Sequence, residues 1–358
     1  MGLRDISLKL VRLIVFMKYV KLGWSGTKVS QLCLGTWHLP VTADKDEYGV
    51  PKINEELFMK IAKKAYDAGV NFFDTSNRYH GAMAPVDLNH VGNAEKLLGR
   101  FLKSVDRDSV VVATKVRGQM APWVNGEGLS RKHIRWQLKR SLERLGTDYI
   151  DLYQLHWPDP LTTKTEILRT LDWAVADGYV NYIGVSNHSA SDIASFMELA
   201  AKGSLEPFVS SQDLYNVLDR NLEVEKGDVL KRFDMSVLAY SPLAQGVLTG
   251  KYIDPQSEKW VIPEGSRAER FREIERYFND RNLKILLEMK EIAASKGATV
   301  AQVALAWLLT SGQRLGFTTV PIVGVTKLEQ LEEDLGSIDL RLSQDDMKRL
   351  DEAYRRTA

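Results

Sequence analysis

A (β/α)8 TIM barrel, an α/β single domain with extended loops at the C-terminal face of its strands, is the fold this sequence predicts. Three observations predict it. Eight short, near-continuous apolar runs recur along the chain, longer amphipathic stretches separate them, and no linker rich in Pro, Gly or Ser divides the 358 residues. Apolar runs without polar alternation suit strands buried on both faces, and their alternation with helices means βαβ units around a parallel sheet. Composition agrees, because 44% hydrophobic and 27% charged residues can build a large core and show no bias toward disorder.

The elements follow in order. Residues 1–16 carry Arg4, Lys9 and Arg12 around a short apolar run ending Leu13-Ile14-Val15-Phe16. That run is far below the ~20 residues of a membrane span, and no small-residue cleavage pattern follows it. The segment reads as an N-terminal extension, with a misassigned start as its simplest origin. Met17 then opens a strand-like stretch, Lys18 to Gly23, and residues 17–358 are expected to form the barrel. The apolar runs are Val29–Leu34, Val70–Phe73, Val110–Thr114, Tyr149–Leu155, Val180–Val185, Phe208–Gln212, Ser236–Tyr240 and Thr319–Val323. Helical patterns lie between them at Asn54–Ala68, Ala94–Lys103, Ser130–Leu145, Thr165–Ala176 and Ala190–Ala201. The piece from Leu243 to about Arg281 is too long for a plain connection and reads as functional. A doubly wound alternative would carry G-x-G-x-x-G after an early strand, and the sequence has no such fingerprint.

Charge excludes several classes of partner. With 48 Lys and Arg against 47 Asp and Glu, and no long block of one sign, nothing points to nucleic acid or a membrane surface. The single cysteine, Cys33, cannot form an internal disulfide, which fits a reducing, cytoplasmic setting.

A barrel places its chemistry at the C-terminal ends of its strands. The second run ends in Asp74-Thr75-Ser76-Asn77-Arg78-Tyr79, the third in Ala113-Thr114-Lys115 and the fourth in Gln154-Leu155-His156. Each polar residue has an ordinary structural explanation: Asp74 as a cap, Lys115 as a snorkelling side chain, His156 as a core histidine, Tyr79 as loop packing. Four groups able to relay a proton, at three adjacent ends of an apolar sheet, argue for chemistry instead.

The sequence here resembles the aldo-keto reductase superfamily. The resemblance runs from about Tyr19 to Tyr354 and is carried by Gly69-Val70-Asn71-Phe72-Phe73-Asp74-Thr75 with Tyr79, and by Ala113-Thr114-Lys115. Further matches are Ser141 to Leu152, Gln154-Leu155-His156-Trp157-Pro158-Asp159, Gly184-Val185-Ser186-Asn187 and Tyr240-Ser241-Pro242-Leu243. The stretch Gly246 to Tyr252 is similar to the branch that includes bacterial reductases and potassium-channel β-subunits.

This resemblance implies NADPH-dependent reduction of aldehydes or ketones, with NADH a weaker partner and Asp74, Tyr79, Lys115 and His156 as the catalytic tetrad. A hydride arriving at a carbonyl makes an alkoxide, so an acid must deliver a proton as charge develops. Tyr79 is the candidate acid, and a cationic Lys115 held by Asp74 is expected to lower its pKa. His156 is expected to position the substrate oxygen. The resemblance also implies that Ser186, Asn187 and Gln212 bind the nicotinamide carboxamide while Tyr240 stacks on the ring. Ser241, Leu243, Gln245 and Gly246 would line the pyrophosphate path, with Lys251 folding over it. After the eighth strand Gly324 begins a strand-to-helix turn, and a helix N-terminus is a ready anion site. There Thr326, Lys327 and Gln330 would meet the 2′-phosphate, and Glu333 and Asp334 the adenine. Gln330 stands where many members of the family carry arginine.

Trp37, Trp123 and Trp157 suggest an aromatic-walled mouth for an apolar or aromatic carbonyl. No metal is expected, since His80 and His90 lack a third ligand at a characteristic spacing and no H-E-x-x-H occurs. Two other functions compete: a cofactor-binding regulatory module with slow turnover, resembling the potassium-channel β-subunits, and a cofactor-free isomerase or hydrolase using Asp74 and His156.

Overall fold

A computed structural model describes residues 17–82 and 87–355, so the segment 1–16 and its origin lie outside the described residues. Twelve strands are described: β1 (Tyr19–Lys21), β2 (Lys28–Ser30), β3 (Cys33–Gly35), β4 (Val41–Lys45), β5 (Pro51–Ile53), β6 (Phe72–Asp74), β7 (Val111–Val116), β8 (Ile150–Leu155), β9 (Val180–Ser186), β10 (Phe208–Leu214), β11 (Ser236–Tyr240) and β12 (Thr319–Val323). Strands β3 and β6 to β12 close into a barrel in chain order, every neighbouring pair parallel, with β12 returning to β3 through Ile322↔Cys33. The predicted (β/α)8 barrel is the observed architecture.

Period-two geometry divides each strand between two cores. Phe72, Val111, Ala113, Leu152 and Leu238 pack together in the lumen, whereas Phe73, Val112 and Tyr153 pack outward against the helices. Continuing the inward register by one step puts Asp74, Lys115 and Gln154 into the top of the lumen. The helices cover the outside, beginning with α1 (Glu55–Asp67), α2 (Asn93–Leu102), α3 (Arg131–Leu145), α4 (Lys164–Ala176) and α5 (Ala190–Gly203). Side chains of Asn54, Ser130, Thr163 and Ser189 accept from backbone N–H groups at the starts of α1, α3, α4 and α5, as the sequence signals for helix starts require.

The first apolar run departs from its expected form. Rather than one strand over Val29–Leu34, it splits: Lys28–Ser30 pairs antiparallel with Tyr19–Lys21, and only Cys33–Gly35 enters the barrel. The β1–β2 hairpin plugs the N-terminal end, where Leu22 and Val29 join the lumen core beneath Cys33 and Phe72. A second hairpin, β4–β5, stands after β3 on the other face of the barrel and had no clear sequence signal.

Gly23 fixes the plug. Its φ is +55°, and an added Cβ would come within 2.2 Å of the Val209 carbonyl oxygen. Its N–H donates to Ser236 Oγ at 2.7 Å, so the turn cannot back away without losing that bond. Gly23→Ala should therefore cost ~2 to 4 kcal/mol from left-handed strain and overpacking combined. The check is a urea titration, in which the midpoint falls while the slope stays constant.

Candidate active site

Lys115 sits at the top of the lumen with no solvent exposure, and its ammonium donates to Asp74 Oδ1 at 2.5 Å and to the Thr75 carbonyl at 2.8 Å. The other Asp74 oxygen accepts from Gln212 Nε2 at 2.8 Å and from Gln154 Nε2 at 3.2 Å. Both oxygens of the carboxylate are thus engaged, which a buried charge demands. Burial works against the lysine charge, but Asp74 and Tyr79 outweigh it and hold Lys115 above the ordinary lysine range.

Tyr79 lies directly on this pair, with its ring centroid 4.7 Å from the Lys115 ammonium. Burial pushes its phenol up; the Lys115 charge pulls it down, Asp74 pushes it up again, and a hydrogen bond with Lys115 pulls it down. The balance is upward, so the expectation of a phenol brought below its ordinary value by Lys115 is corrected. Desolvation is the stronger influence, and Lys115 only moderates it. His156 stands beside Tyr79 at 5.6 Å between ring centroids, with Nδ1 3.2 Å from Ser76 Oγ. Burial, followed by the charges of Lys115, Arg78 and Arg117, holds its pKa well below the usual histidine value. The imidazole is therefore neutral near pH 7.

A cavity of about 690 Å³ opens above these four groups and runs along one side of the mouth. Ser186, Asn187, Gln212 and Tyr240 line its floor. Asn187 adopts φ +59°, donates to the His156 carbonyl at 3.1 Å and accepts from the Tyr240 hydroxyl at 2.9 Å. Because the Gln212 NH2 group is committed to Asp74 and Gln154, its carbonyl oxygen is the atom it can offer a ligand.

Past β11 the chain turns through left-handed conformations at Ser241, Ala244, Gln245 and Gly246, held in part by Asn216 Nδ2 donating to the Ser241 carbonyl at 3.1 Å. This loop brings Leu243, Gln245 and Gly246 to the cavity, and Lys251 reaches back across Gly246 so closely that an added Cβ would lie 3.2 Å from its Nζ. Arg267 joins Lys251 on the lining. Burial, then Arg267 and then Lys327, push Lys251 below its ordinary value, and among the described residues no carboxylate forms an ion pair with Lys251 or Arg267. Arg267 Nε and Ser266 Oγ are buried without a hydrogen-bond partner. Lys251 and Arg267 on one cavity wall without an ion-pairing acid, with Lys327 close enough to act on Lys251, describe a place for an anion.

Gly324, Thr326, Gln330, Glu333 and Asp334 complete the far wall. Gln330 Oε1 accepts from the Thr326 N–H at 2.8 Å and so closes the turn before the helix Leu328–Leu335. Asp334 is buried, and burial followed by the Glu333 charge raises its carboxyl well above the usual range.

Most of the expected residues therefore converge, with two exceptions. Trp123 is 61% exposed and stacks on Trp136 at 5.6 Å, outside the cavity that Trp37 and Trp157 line. A tight turn, with the Gly126 N–H donating to the Trp123 carbonyl, carries it away toward α3. Lys327 is exposed at the helix start and touches the site through its field rather than as a lining residue. Sequence reading missed Arg267, His38, Ser76 and the bracing role of Gln154. Only the unusual length of the segment containing Arg267 marked it; the others had no signal outside the matched motifs. No group of three His, Cys, Asp or Glu suited to a metal occurs among the described residues, and no single helix there is long and apolar enough to cross a membrane.

Comparison with known proteins follows the same line. The model of the aldo/keto reductase family matches residues 31–355. An L-glyceraldehyde 3-phosphate reductase of Escherichia coli O157:H7 is 32% identical, covering 94% of this chain and 92% of the relative. Versiconal hemiacetal acetate reductase of Aspergillus parasiticus is 29% identical over 94% of this chain and 97% of its own. A probable voltage-gated potassium channel subunit beta of Oryza sativa subsp. japonica is 34% identical over 90% of this chain and 92% of its own.

Desolvated histidines, two of them at the site, make stability depend on pH. His38, brought to about 4 by burial and by Arg267 and Lys251, and His156, held well below the usual value first by burial, stay neutral in the folded state while their unfolded counterparts take up protons, and His133 and His188, lowered first by burial, act in the same direction. Their stabilisation is complete above about pH 6.5 and is lost as pH falls below it, at up to ~1.4 kcal/mol per pH unit each. His90 is raised instead, since Asp46 and Asp87 overcome its burial, so its stabilisation grows as pH falls toward about 6.5 and is fully present below it, adding no loss on the acid side. The urea midpoint should fall between about pH 7 and about pH 5; a flat profile would contradict neutral histidines.

Proposed function

This chain belongs to the aldo/keto reductase family, and we propose that it reduces aldehydes or ketones to alcohols with NADPH, using Tyr79 as the acid and Lys115, Asp74 and His156 as its supports. The chain is an NAD(P)H-dependent oxidoreductase, and carbonyl reduction is the reaction general to such relatives. The observation that carries the finer reading is the buried Lys115–Asp74 pair beneath Tyr79, beside a neutral histidine and an open cavity.

The lining supports a dinucleotide phosphate as the cofactor. The cations Lys251 and Arg267, which have no ion-pairing acid among the described residues, and the close backbone at Gly246 offer charge and space to phosphates, and Arg267 Nε and Ser266 Oγ are buried nearby without hydrogen-bond partners. Ser186, Asn187 and Gln212 would hold the nicotinamide amide and Tyr240 its ring. Ser241, Leu243, Gln245 and Gly246 would follow the pyrophosphate. Thr326, Lys327 and Gln330 would meet the 2′-phosphate, with Glu333 and Asp334 at the adenine. NADPH, when bound, supplies the hydride.

The protein's part is to place and move a proton. His156, neutral, donates a hydrogen bond to the carbonyl oxygen and fixes its position. Tyr79 then gives the proton at its hydroxyl oxygen to the developing alkoxide. An alkoxide is a far stronger base than a phenolate, so a raised phenol pKa keeps the acid loaded without blocking the transfer. Lys115 stabilises the phenolate left behind, and Asp74 with its two glutamines keeps the lysine charged and still.

The similarity to a channel subunit favours a second reading, a regulatory protein that turns over slowly. Sustained NADPH consumption with simple aldehydes supports the enzyme; one slow turnover with retained cofactor supports the regulator. Tyr79→Phe keeps the ring but removes the proton, so single-turnover reduction should fall ~10²- to 10⁴-fold while nucleotide affinity changes little. Lys115→Met should also fail, with residual activity shifted in its pH dependence because the phenol loses its stabilising charge. Normal reduction by Tyr79→Phe would remove Tyr79 as the acid. Lys327→Ala should weaken NADPH by ~1 to 2 kcal/mol, less than a buried contact because Lys327 is exposed, and NADH hardly at all. Fluorescence titration with both nucleotides measures this, and equal weakening rejects the contact.

A further inference from the structure

Arg78 immediately precedes Tyr79 and lines the same cavity as Tyr79, His156 and Trp157. Its stem lies across Gly118, where an added Cβ would come within 2.5 Å of Arg78 Cδ. Its guanidinium carbon stands 5.9 Å from the centre of the Trp157 ring, on whose neighbourhood Arg117 also bears at 5.1 Å. Two guanidiniums therefore flank the indole that adjoins the His156 ring at 4.5 Å.

These charges are unequally matched. Lys115 has Asp74 at 2.5 Å and Arg117 has Glu127 at 3.6 Å, but among the described residues no carboxylate forms an ion pair with Arg78. Half-buried at an aromatic mouth, Arg78 has given up part of its hydration without gaining a counter-ion. It also stands apart from the phosphate-seeking cations. His156 feels Lys115, Arg78 and Arg117, whereas His38 feels Arg267 and Lys251. The cavity thus has one positive region along the cofactor path and another at the reacting centre. Proton transfer from Tyr79 makes no use of the second.

We infer that the preferred substrate is a carbonyl compound bearing an anionic group, a carboxylate or a phosphate, which Arg78 holds at the mouth while the carbonyl meets Tyr79 and His156. The inference rests on the reductase reading and sharpens it, replacing the purely apolar or aromatic carbonyl that the tryptophans alone suggested. A planar guanidinium fork suits both anions, since each offers two oxygens to parallel N–H donors. Trp37 and Trp157, which both line the cavity, would wall the body of the molecule. Arg78 acts here as a specificity residue and takes no part in the proton transfer.

The test compares three aldehydes at saturating NADPH: 4-formylbenzoate, 4-formylphenyl phosphate and the neutral methyl 4-formylbenzoate. The ester group withdraws electrons more strongly than the carboxylate, so intrinsic reactivity works against the expected result. The unaltered protein should favour at least one anion over the ester by about ten- to hundred-fold in kcat/KM, the magnitude of a charge-assisted hydrogen bond. The preference should reside in KM and shrink as salt is raised. Which anion is favoured tells carboxylate from phosphate. Arg78→Met should bring the anion-to-ester ratio close to one, and Arg78→Lys should restore part of it. A ratio near one in the unaltered protein overturns the inference and leaves the reductase reading intact. An Arg78→Met ratio equal to that of the unaltered protein, with all three substrates slowed alike, also overturns it, because the residue would then be structural. Failure to reduce any of the three refutes the reductase reading and the inference together.

Discussion

A lysine ammonium enclosed in the lumen of a parallel barrel stays charged only if its surroundings replace water completely, and the mouth of this barrel is organised around that demand. Lys115 comes from β7, Asp74 from β6, Gln154 from β8 and Gln212 from β10, so four strands must hold register for one carboxylate to be fully satisfied. Breaking such a pair by removing one partner typically costs ~3 to 5 kcal/mol, because the other charge is left buried and alone. The same burial raises the Tyr79 phenol and lowers the His156 imidazole. Desolvation around this ion pair thereby leaves the phenol protonated and the imidazole neutral.

Positive charge at the mouth is distributed by function. Lys115 is neutralised within the barrel, while Lys251 and Arg267 line the cavity without an ion-pairing acid among the described residues. A site built from unmatched cations is pre-organised for anions, since the cost of crowding like charges is met during folding and relieved on binding. Arg78 extends that logic to the substrate side. The left-handed turn from Ser241 to Gly246 serves the same end by bringing backbone and a lysine over one spot, where a Cβ at Gly246 would crowd the ammonium.

Much of this was legible in the linear sequence, for reasons that lie in local chemistry. Strands buried on both faces must be apolar throughout, so all eight barrel strands begin within the expected runs and end no more than two residues beyond them. The first run misled because one apolar stretch serves two structures, with Val29 in the plugging hairpin and Cys33 in the barrel. Apolarity reports burial and does not say against which partner. Asp74, Lys115 and His156 were visible because a polar residue ending an apolar strand is costly wherever it is put, and that cost marks it.

What the sequence by itself determined is the barrel, the rim on which chemistry gathers and the residue types that rim presents. Tertiary structure alone decided how those residues balance. Whether Lys115 lowers the Tyr79 phenol depends on the competition between a nearby charge and the loss of water, and in the closed barrel the loss of water prevails. Trp37 and Trp123 are the same residue type in comparable loops, yet one packs on Tyr79 at 4.8 Å and the other on Trp136 outside the cavity. Arg267 looks like any surface arginine until the loop folds and leaves its Nε buried without a partner. Each of these outcomes turns on distance and solvent access between residues far apart in the chain, and such quantities exist only once the chain has closed on itself.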